Sequence, residues 1–403
     1  MSTHPSAAAD EPTDPAHPAA DRAIRAAQAV LHRRLGAKVE LAALEDLGGS
    51  ARSTVLRVRV MATPFVLPPT LVVKHYGSRH VAATGSFASE AVSYQLFTAL
   101  REESRTCPEL FAHGAEEQVL VLQDLGRVPT LRDALLGHDA KVAERALLSF
   151  ARSLGVLHAS TAHREADFDA LVRRIGVTPA PDPVQAMLST AVRTVPGLLC
   201  ERLRIPPSKS GRACAHRALR RLQLGDLRAF TPVDLCPENN LLTDKGVRFL
   251  DFEGGRMRNV LLDAAYLLIP FPSCKSSYSL PAGMSEAMLA SWRAEVLGVW
   301  PELLDERTWR AGLVDAALLW MWMSTAQRLP NLLATRDAAT GTNSSALAAL
   351  AVRWHGMAEH AQLCGSHEVA EHCGAVTTAL QHRMGALSVA ALPETLYPAF
   401  TAA

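Results

Sequence analysis

Thr231-Pro-Val-Asp-Leu-Cys-Pro-Glu-Asn-Asn-Leu-Leu242, followed after Thr243-Asp-Lys-Gly246 by Val247-Arg-Phe-Leu-Asp-Phe-Glu-Gly-Gly255, is the stretch whose reading decides the fold. Asn240–Leu242 and Val247–Leu250 are short apolar runs separated by Asp244-Lys245-Gly246, the punctuation of a β-hairpin. Asp234 and Asn239 stand just before the first strand and Asp251 just beyond the second. Two carboxylates and an amide at the ends of one hairpin can converge on a divalent ion, which takes hard oxygen donors.

Upstream of the hairpin the chain changes character. A helix is expected over Asp21–Leu35 and a strand over Lys38–Leu44, then the small-residue turn Gly48-Gly49-Ser50. Val55–Val60 alternates apolar residues with Arg57 and Arg59, the pattern of a half-buried strand. Thr70–Lys74 is a short apolar strand ending in lysine, and Phe87–Leu100 has helical spacing with Glu90 in its first turn. Further strands are expected at Leu110–Gly114 and Gln118–Gln123. Beyond them Thr130–Leu136 and Lys141–His158 read as helices, Arg164–Gly225 as less regular, and the remainder after Asp263 as helical. A sheet-rich first quarter ahead of a helical remainder indicates an α+β protein in two lobes.

These pieces match what phosphoryl transfer requires: backbone amides over the phosphates, a fixed cation with a carboxylate partner, a base for the acceptor hydroxyl, and oxygen ligands for Mg2+. Gly48, Gly49 and Ser50 are candidates for the phosphate lid, Lys74 for the cation and Glu90 for its partner. Asp234 is the candidate base, with Asn239 and Asp251 the candidate metal ligands and Glu253 a candidate assistant.

The bulk numbers agree with a globular protein. The 403 residues are 48% hydrophobic and 20% charged, and the net charge of +1 gives no bulk attraction to nucleic acid or membrane. Seven cysteines without a framework point to reduced thiols, and no signal peptide or membrane span is legible, so a cytoplasmic protein with a disordered leader over residues 1–20 is expected.

Thr231–Leu242 with Phe249–Glu253 resembles the catalytic region of the aminoglycoside phosphotransferase and choline kinase superfamily, where His-Gly-Asp-x4-Asn precedes Ile-Asp-x-Glu or Ile-Asp-x-Asp. Val72-Val-Lys74, Phe87-Ala-Ser-Glu90, Val121–Gly126 and Leu154–His158 fall in the family's order. The resemblance covers roughly Leu41 to Leu268. It implies a two-lobed protein-kinase-like fold with a small antiparallel-sheet N-lobe over 21–125 and a larger helical C-lobe over 126–403. It further implies ATP and Mg2+ as cofactors, with ATP near Val121–Leu125, including Gln123 and Leu125, and a small-molecule hydroxyl acceptor such as an aminoglycoside, sugar, amino alcohol or secondary metabolite. The chain would act as a monomer or weak homodimer. The sequence departs from the pattern at Pro232 and Val233, where the family has His and Gly, and at Cys236. The departure keeps a nucleotide-binding pseudokinase or regulatory module open as the alternative.

Other conspicuous residues have plainer readings. His158 is expected as a packed core histidine, Asp263 as a structural anchor, and Trp320–Met323 as core. His367 and His372 stand five apart on a helix, about 140° around its axis, which does not suit two zinc ligands on one face. The basic run Lys209–Arg221 reads as a solvated helix face.

Overall fold

The computed structural model describes residues 18–50, 52–77, 81–176, 181–269, 271–272, 274, 278–334, 341–385 and 396–401. Most of the expected leader, residues 1–17, lies outside them; Pro18–Ala20 already belong to the first helix. The chain divides into two compact units, one comprising the residues to Phe87 together with Leu110–Asp124, the other Ala88–Glu109 and everything from Leu125 onward.

The first unit is built on a five-stranded antiparallel sheet. Its strands are β1 (Glu40–Ser50), β2 (Ser53–Ala62), β3 (Thr70–His75), β4 (Leu110–Gly114) and β5 (Val119–Gln123), in the order β1-β2-β3-β5-β4. Helix α1 (Pro18–Leu35) buries Ala23, Ala27, Val30 and Leu31, spaced i, i+4, i+7 and i+8 along one face. That stripe packs in one cluster with Val58, Leu71, Val73, Val119 and Val121 of the sheet. β1 is longer than its hydrophobic pattern indicates: it continues through Gly48 and Gly49 to Ser50, with register shifts along the way, and the hairpin closes after Ser50. Arg57 is not the solvated half of an alternating strand. It is buried and forms ion pairs with Asp124, at 2.9 Å, and with Glu45.

Helix α2 (Val81–Thr98) begins in the first unit and ends in the second. The second unit continues with helices α3 (Leu131–Leu136), α4 (Ala140–Thr161), α5 (Glu165–Arg174), α6 (Pro183–Leu203) and α7 (Lys209–Leu224). The stretch expected to be irregular is therefore mostly helix. Capping by Asp182, whose carboxylate accepts from Val184 N and Gln185 N, and by Ser208, which accepts from Gly211 N, starts two of these helices. Two small antiparallel ribbons follow: β6 (Arg228–Thr231) with β9 (Arg256–Asn259), and β7 (Asn240–Thr243) with β8 (Gly246–Phe249). Helices α8 (Leu261–Leu268), α9 (Met284–Val296), α10 (Glu306–Ala334), α11 (Gly341–Leu363) and α12 (His367–Met384) complete it. The architecture is α+β, as the pattern of elements indicates.

The core of the second unit is rich in tryptophan, and four of the ring N–H groups have a clear destination. Trp320 donates to Leu262 O at 2.7 Å and Trp354 to Thr325 Oγ1 at 3.1 Å. Trp292 donates to His158 Nδ1 at 2.9 Å, which leaves the His158 proton on Nε2, 3.2 Å from Asp263 Oδ2. His158 and Asp263 are both fully buried, so the histidine is a packed core residue and Asp263 its anchor. Trp322 donates to His372 Nε2 at 3.2 Å, and Trp354 lies edge-on to the same imidazole. His372 thus serves as an acceptor inside the core. Among the described residues no helix is long and apolar enough to cross a membrane.

Burial lowers the pKa of His372 from 6.5 to about 4. The folded state therefore holds it neutral while the unfolded chain protonates it below pH 6.5, so its contribution is complete above that pH and is lost on acidification toward 4. Urea unfolding should show the wild type losing about 2 kcal/mol from this group between pH 6.5 and 5. His372→Gln, which keeps an acceptor for Trp322, should lose correspondingly less; equal slopes for the two proteins would contradict this account.

Candidate functional site

The β7–β8 hairpin is held along both edges. Leu242 N donates to Pro129 O and Phe249 N to Thr106 O, each at 2.8 Å, while Val247 N donates to Ser153 Oγ of α4 at 3.0 Å. β6 is supported in the same way, Phe230 N donating to Thr161 Oγ1 at 3.1 Å. Asn240 pairs with Phe249, and the next step of the ladder is Leu250 N to Asn239 O at 2.9 Å. Asn239 therefore lies beside Leu250, and Asp251 follows at the same end of the hairpin.

The two asparagines have separate tasks. Asn240 is fully buried, and its Nδ2 donates to Leu235 O at 3.1 Å and Cys236 O at 2.8 Å, pinning the loop that carries Asp234. Asn239 is half-buried, and its side-chain amide makes no hydrogen bond within the described residues. The Oδ1 of Asn240 has no hydrogen-bond partner but is buried, so of the two side chains the one that reaches the surface is Asn239.

Asp234 is exposed to solvent but closely surrounded by protein. Burial of its carboxylate raises its pKa; the Cys236 N–H, 3.3 Å from Oδ1, works against that, and Asp251, Glu238 and Glu253 add to the rise. The charged side chains that move Asp234 are all carboxylates, so negative charge gathers around it. Asp251 has φ 63° and ψ 62°, and Val233, immediately before Asp234, has φ 69°. A left-handed conformation in a β-branched residue costs on the order of 1–3 kcal/mol and persists only where the surroundings impose it.

The segment after Asp251 sits on an aromatic floor that sequence reading does not identify. Phe252 packs against Tyr94, Phe97 and Phe230 with ring centroids 5.1, 5.4 and 5.1 Å apart. Tyr94 of α2 is buried, and its pKa is pushed well up, first by burial and then by the charges of Glu90, Cys107 and Asp251. Glu90, fully buried on the same helix, and Asp251 thus share a neighbourhood. A Cβ on Gly255 would meet Phe230 Cζ at 2.5 Å and Ser93 Oγ at 2.7 Å. The signal available in the sequence is the run of aromatics itself, without any indication of which of them meet.

The remaining candidates lie on the first unit, apart from Leu125. Lys74 on β3 pairs with Val55 and Leu120, and its ammonium lies 5.5 Å from the Tyr76 ring centre. Gln123 ends β5 opposite Leu71. Leu125 is the first residue of the second unit's main segment. Gly48, Gly49 and Ser50 form the exposed end of β1. Gly49 has φ 139°, and a Cβ there would sit 2.2 Å from Ser53 O, so glycine is required. The Gly48 N–H donates to Asp46 Oδ1 at 2.8 Å. The amide of Gly48, expected from the sequence in the phosphate lid, is engaged by a carboxylate.

The cysteines depart from the expectation of reduced thiols. Cys236, two residues from Asp234, forms a disulfide with Cys274, with Cα atoms 5.7 Å apart. The scattered spacing gives no sign of it because 38 positions separate the partners, and α8 lies between them in the chain. The other five cysteines are free. The basic run Lys209–Arg221 lies on α7, and it is not wholly solvated: Arg221 pairs with Asp315 at 2.5 Å and Arg217 with Glu368 at 3.3 Å.

No family model matches the chain, and no curated protein matches it by sequence. Solved structures do. A choline/ethanolamine kinase family protein from Mesorhizobium loti is 14% identical, with a TM-score of 0.41 over 85% of this chain and 93% of that one. Choline kinase LicA from Streptococcus pneumoniae is 15% identical, with a TM-score of 0.41 over 82% and 98%. Wild-type aminoglycoside 2'-phosphotransferase-IIIa, in its GDP complex, is 14% identical, with a TM-score of 0.44 over 82% and 98%. These are the two families that the sequence pattern resembles. At such identities and scores the functional reading rests on the chain's own residues.

Two measurements probe the loop. Reducing the disulfide, or Cys274→Ser, should lower the unfolding free energy by about 3–4 kcal/mol, the chain-entropy value for a loop of this length. A melting temperature unchanged by dithiothreitol would exclude the bond. Val233→Gly should cost at least about 1 kcal/mol less than Val73→Gly, because relief of the left-handed strain offsets part of the lost burial; equal losses in chemical denaturation would show that Val233 is unstrained.

Proposed function

We propose that this chain is an ATP-dependent phosphotransferase that moves the γ-phosphoryl group to a hydroxyl of a small molecule. The observation that carries the reading is the hairpin: Asn239 lies opposite Leu250 at its open end, Asp251 follows Leu250 in the chain, and Asp234 is on the loop whose carbonyls Asn240 holds. Asp234 orients the acceptor hydroxyl and takes its proton as the oxygen bonds to phosphorus and the bond to the ADP oxygen breaks. The upward shift of its pKa suits a group that must accept a proton.

The donors fit Mg2+. Asn239 Oδ1 and an Asp251 carboxylate oxygen are hard ligands, and the charged side chains that act on nearby Asp234 are carboxylates. Among the described residues no three His, Cys, Asp or Glu side chains gather into a metal-holding group. Two protein oxygens would leave the remaining positions to water and phosphate oxygens, which Mg2+ keeps among its ligands. When bound, Mg2+ neutralises charge on the phosphate oxygens. Lys74 is assigned to the α/β-phosphates and Glu90 to the orientation of that lysine. Gly48, Gly49 and Ser50 would cover the phosphates once Asp46 releases the Gly48 amide, and Gln123 and Leu125 would border the base. An acceptor without nucleic-acid character, met by a monomer or weak homodimer, completes the proposal.

The strained Val233 behind Pro232 favours one second reading, a nucleotide-binding relative without phosphotransfer. Thermal shift with ATP and Mg2+, then radiolabelled phosphate transfer to a panel of sugars, amino alcohols and aminoglycosides, separates the two. Stabilisation that needs both ATP and Mg2+, with transfer lost by at least about a thousandfold in Asp234→Ala, is the expected result. Stabilisation without any Asp234-dependent transfer or hydrolysis would establish the second reading instead.

A further inference from the structure

Pro232 has no N–H, and neither its ring nor Val233 carries a polar group, yet the left-handed Val233 must be held in place for Asp234 to point where it does. Thr231, which precedes them, and Gly254, which follows Asp251 and Glu253, are both engaged by one side chain. Arg258 on β9 is 6% exposed and donates from Nη1 to Thr231 O at 3.1 Å and Thr231 Oγ1 at 3.0 Å. Its Nη2 donates to Gly254 O at 2.8 Å and Asp182 Oδ1 at 2.7 Å, and its Nε to Asp182 Oδ2 at 2.8 Å. A guanidinium has five N–H donors, and these five contacts use them all.

We infer that Arg258, oriented by Asp182, is the positioning residue that sets the spacing between the Asp234 loop and the Asp251 segment. This deepens the phosphotransferase reading and rests on it for its catalytic consequence. The geometry favours a fork over a point charge: two carbonyls on different segments are met by two different nitrogens, while the carboxylate fixes the plane of the group from a third element. Asp182 has two roles that support each other. It caps α6 through Val184 N and Gln185 N, and it accepts the Arg258 fork; its carboxyl is held below the usual range despite burial. The contact joins α6, the end of β6 and the turn after Asp251 without touching the reacting groups. Its loss therefore acts on geometry, and a displacement of about 1 Å at a reacting group lowers rate on the order of a hundredfold.

The test is hydrogen–deuterium exchange on the full chain, with ATP hydrolysis measured in parallel. Arg258→Gln should speed amide exchange in 233–239 and 252–256 by about tenfold or more while α4 and α10 keep their protection. It should lower kcat for Mg2+-dependent ATP hydrolysis on the order of a hundredfold with KM for ATP changed by less than about twofold. Arg258→Lys, which keeps the charge but not the fork, should recover only part of either. Because Arg258→Gln leaves the partly buried Asp182 carboxylate without its partner, the double variant Asp182→Asn/Arg258→Gln is measured too. It should remain folded and show the same local acceleration. Unchanged exchange in the two segments, or acceleration spread equally over α4 and α10 in the double variant, overturns the inference. Absence of Asp234-dependent hydrolysis in the wild type overturns the phosphotransferase reading alone, since exchange decides the role of Arg258 independently.

Discussion

One hydrogen-bond register organises the candidate site: Asn240 opposite Phe249, with Leu250 N bonded to Asn239 O. A slip of one residue in such a ladder would turn every side chain to the other face. Asn239 would then enter the core and Asn240 would lose the two loop carbonyls it holds. The register is protected from outside the hairpin, by Thr106 and Pro129 at its edges and Ser153 from α4, rather than by the four-residue strands themselves. Strands this short have little independent stability. The site is therefore as firm as its neighbours.

The same logic explains how Val233 tolerates a conformation better suited to glycine. The strained residue lies between two fastenings: Arg258 grips Thr231 on its N-terminal side, and the Cys236–Cys274 bond secures the loop on its C-terminal side. Between them Asn240 bonds the carbonyls of Leu235 and Cys236. A few kcal/mol of local strain is small beside what those contacts contribute together. Where a glycine would let the backbone relax by itself, this chain holds the backbone by force.

Much of this is legible in the sequence because it is local. The hairpin, the strand ending near Lys74 and the two-part α+β organisation follow from periodicity, turn residues and spacing over short windows; the helix bearing Glu90 does too, except that it starts at Val81 rather than Phe87, which puts Glu90 at its middle and not in its first turn. What escapes is long-range. The β6–β9 ribbon pairs short segments that contain Arg228, Arg256 and Arg258 and that lack an apolar run. Arg57 alternates like a surface residue, and only the sheet order brings Asp124 to it. The disulfide, the Asp182–Arg258 pair and the Tyr94–Phe252 contact join positions 38, 76 and 158 apart in the chain, distances at which no pattern of neighbours speaks. Arg164–Gly225 reads as irregular because its prolines and basic residues obscure three helices that begin at or near Glu165, Pro183 and Lys209.

Gly255 has a consequence for recognising distant relatives. Its identity is dictated by volume, since Phe230 and Ser93 occupy the space a side chain would need, and not by any reaction. Any protein built on this packing needs a residue without a side chain at the same place, four residues beyond Asp251, whatever stands in the lead-in to Asp234.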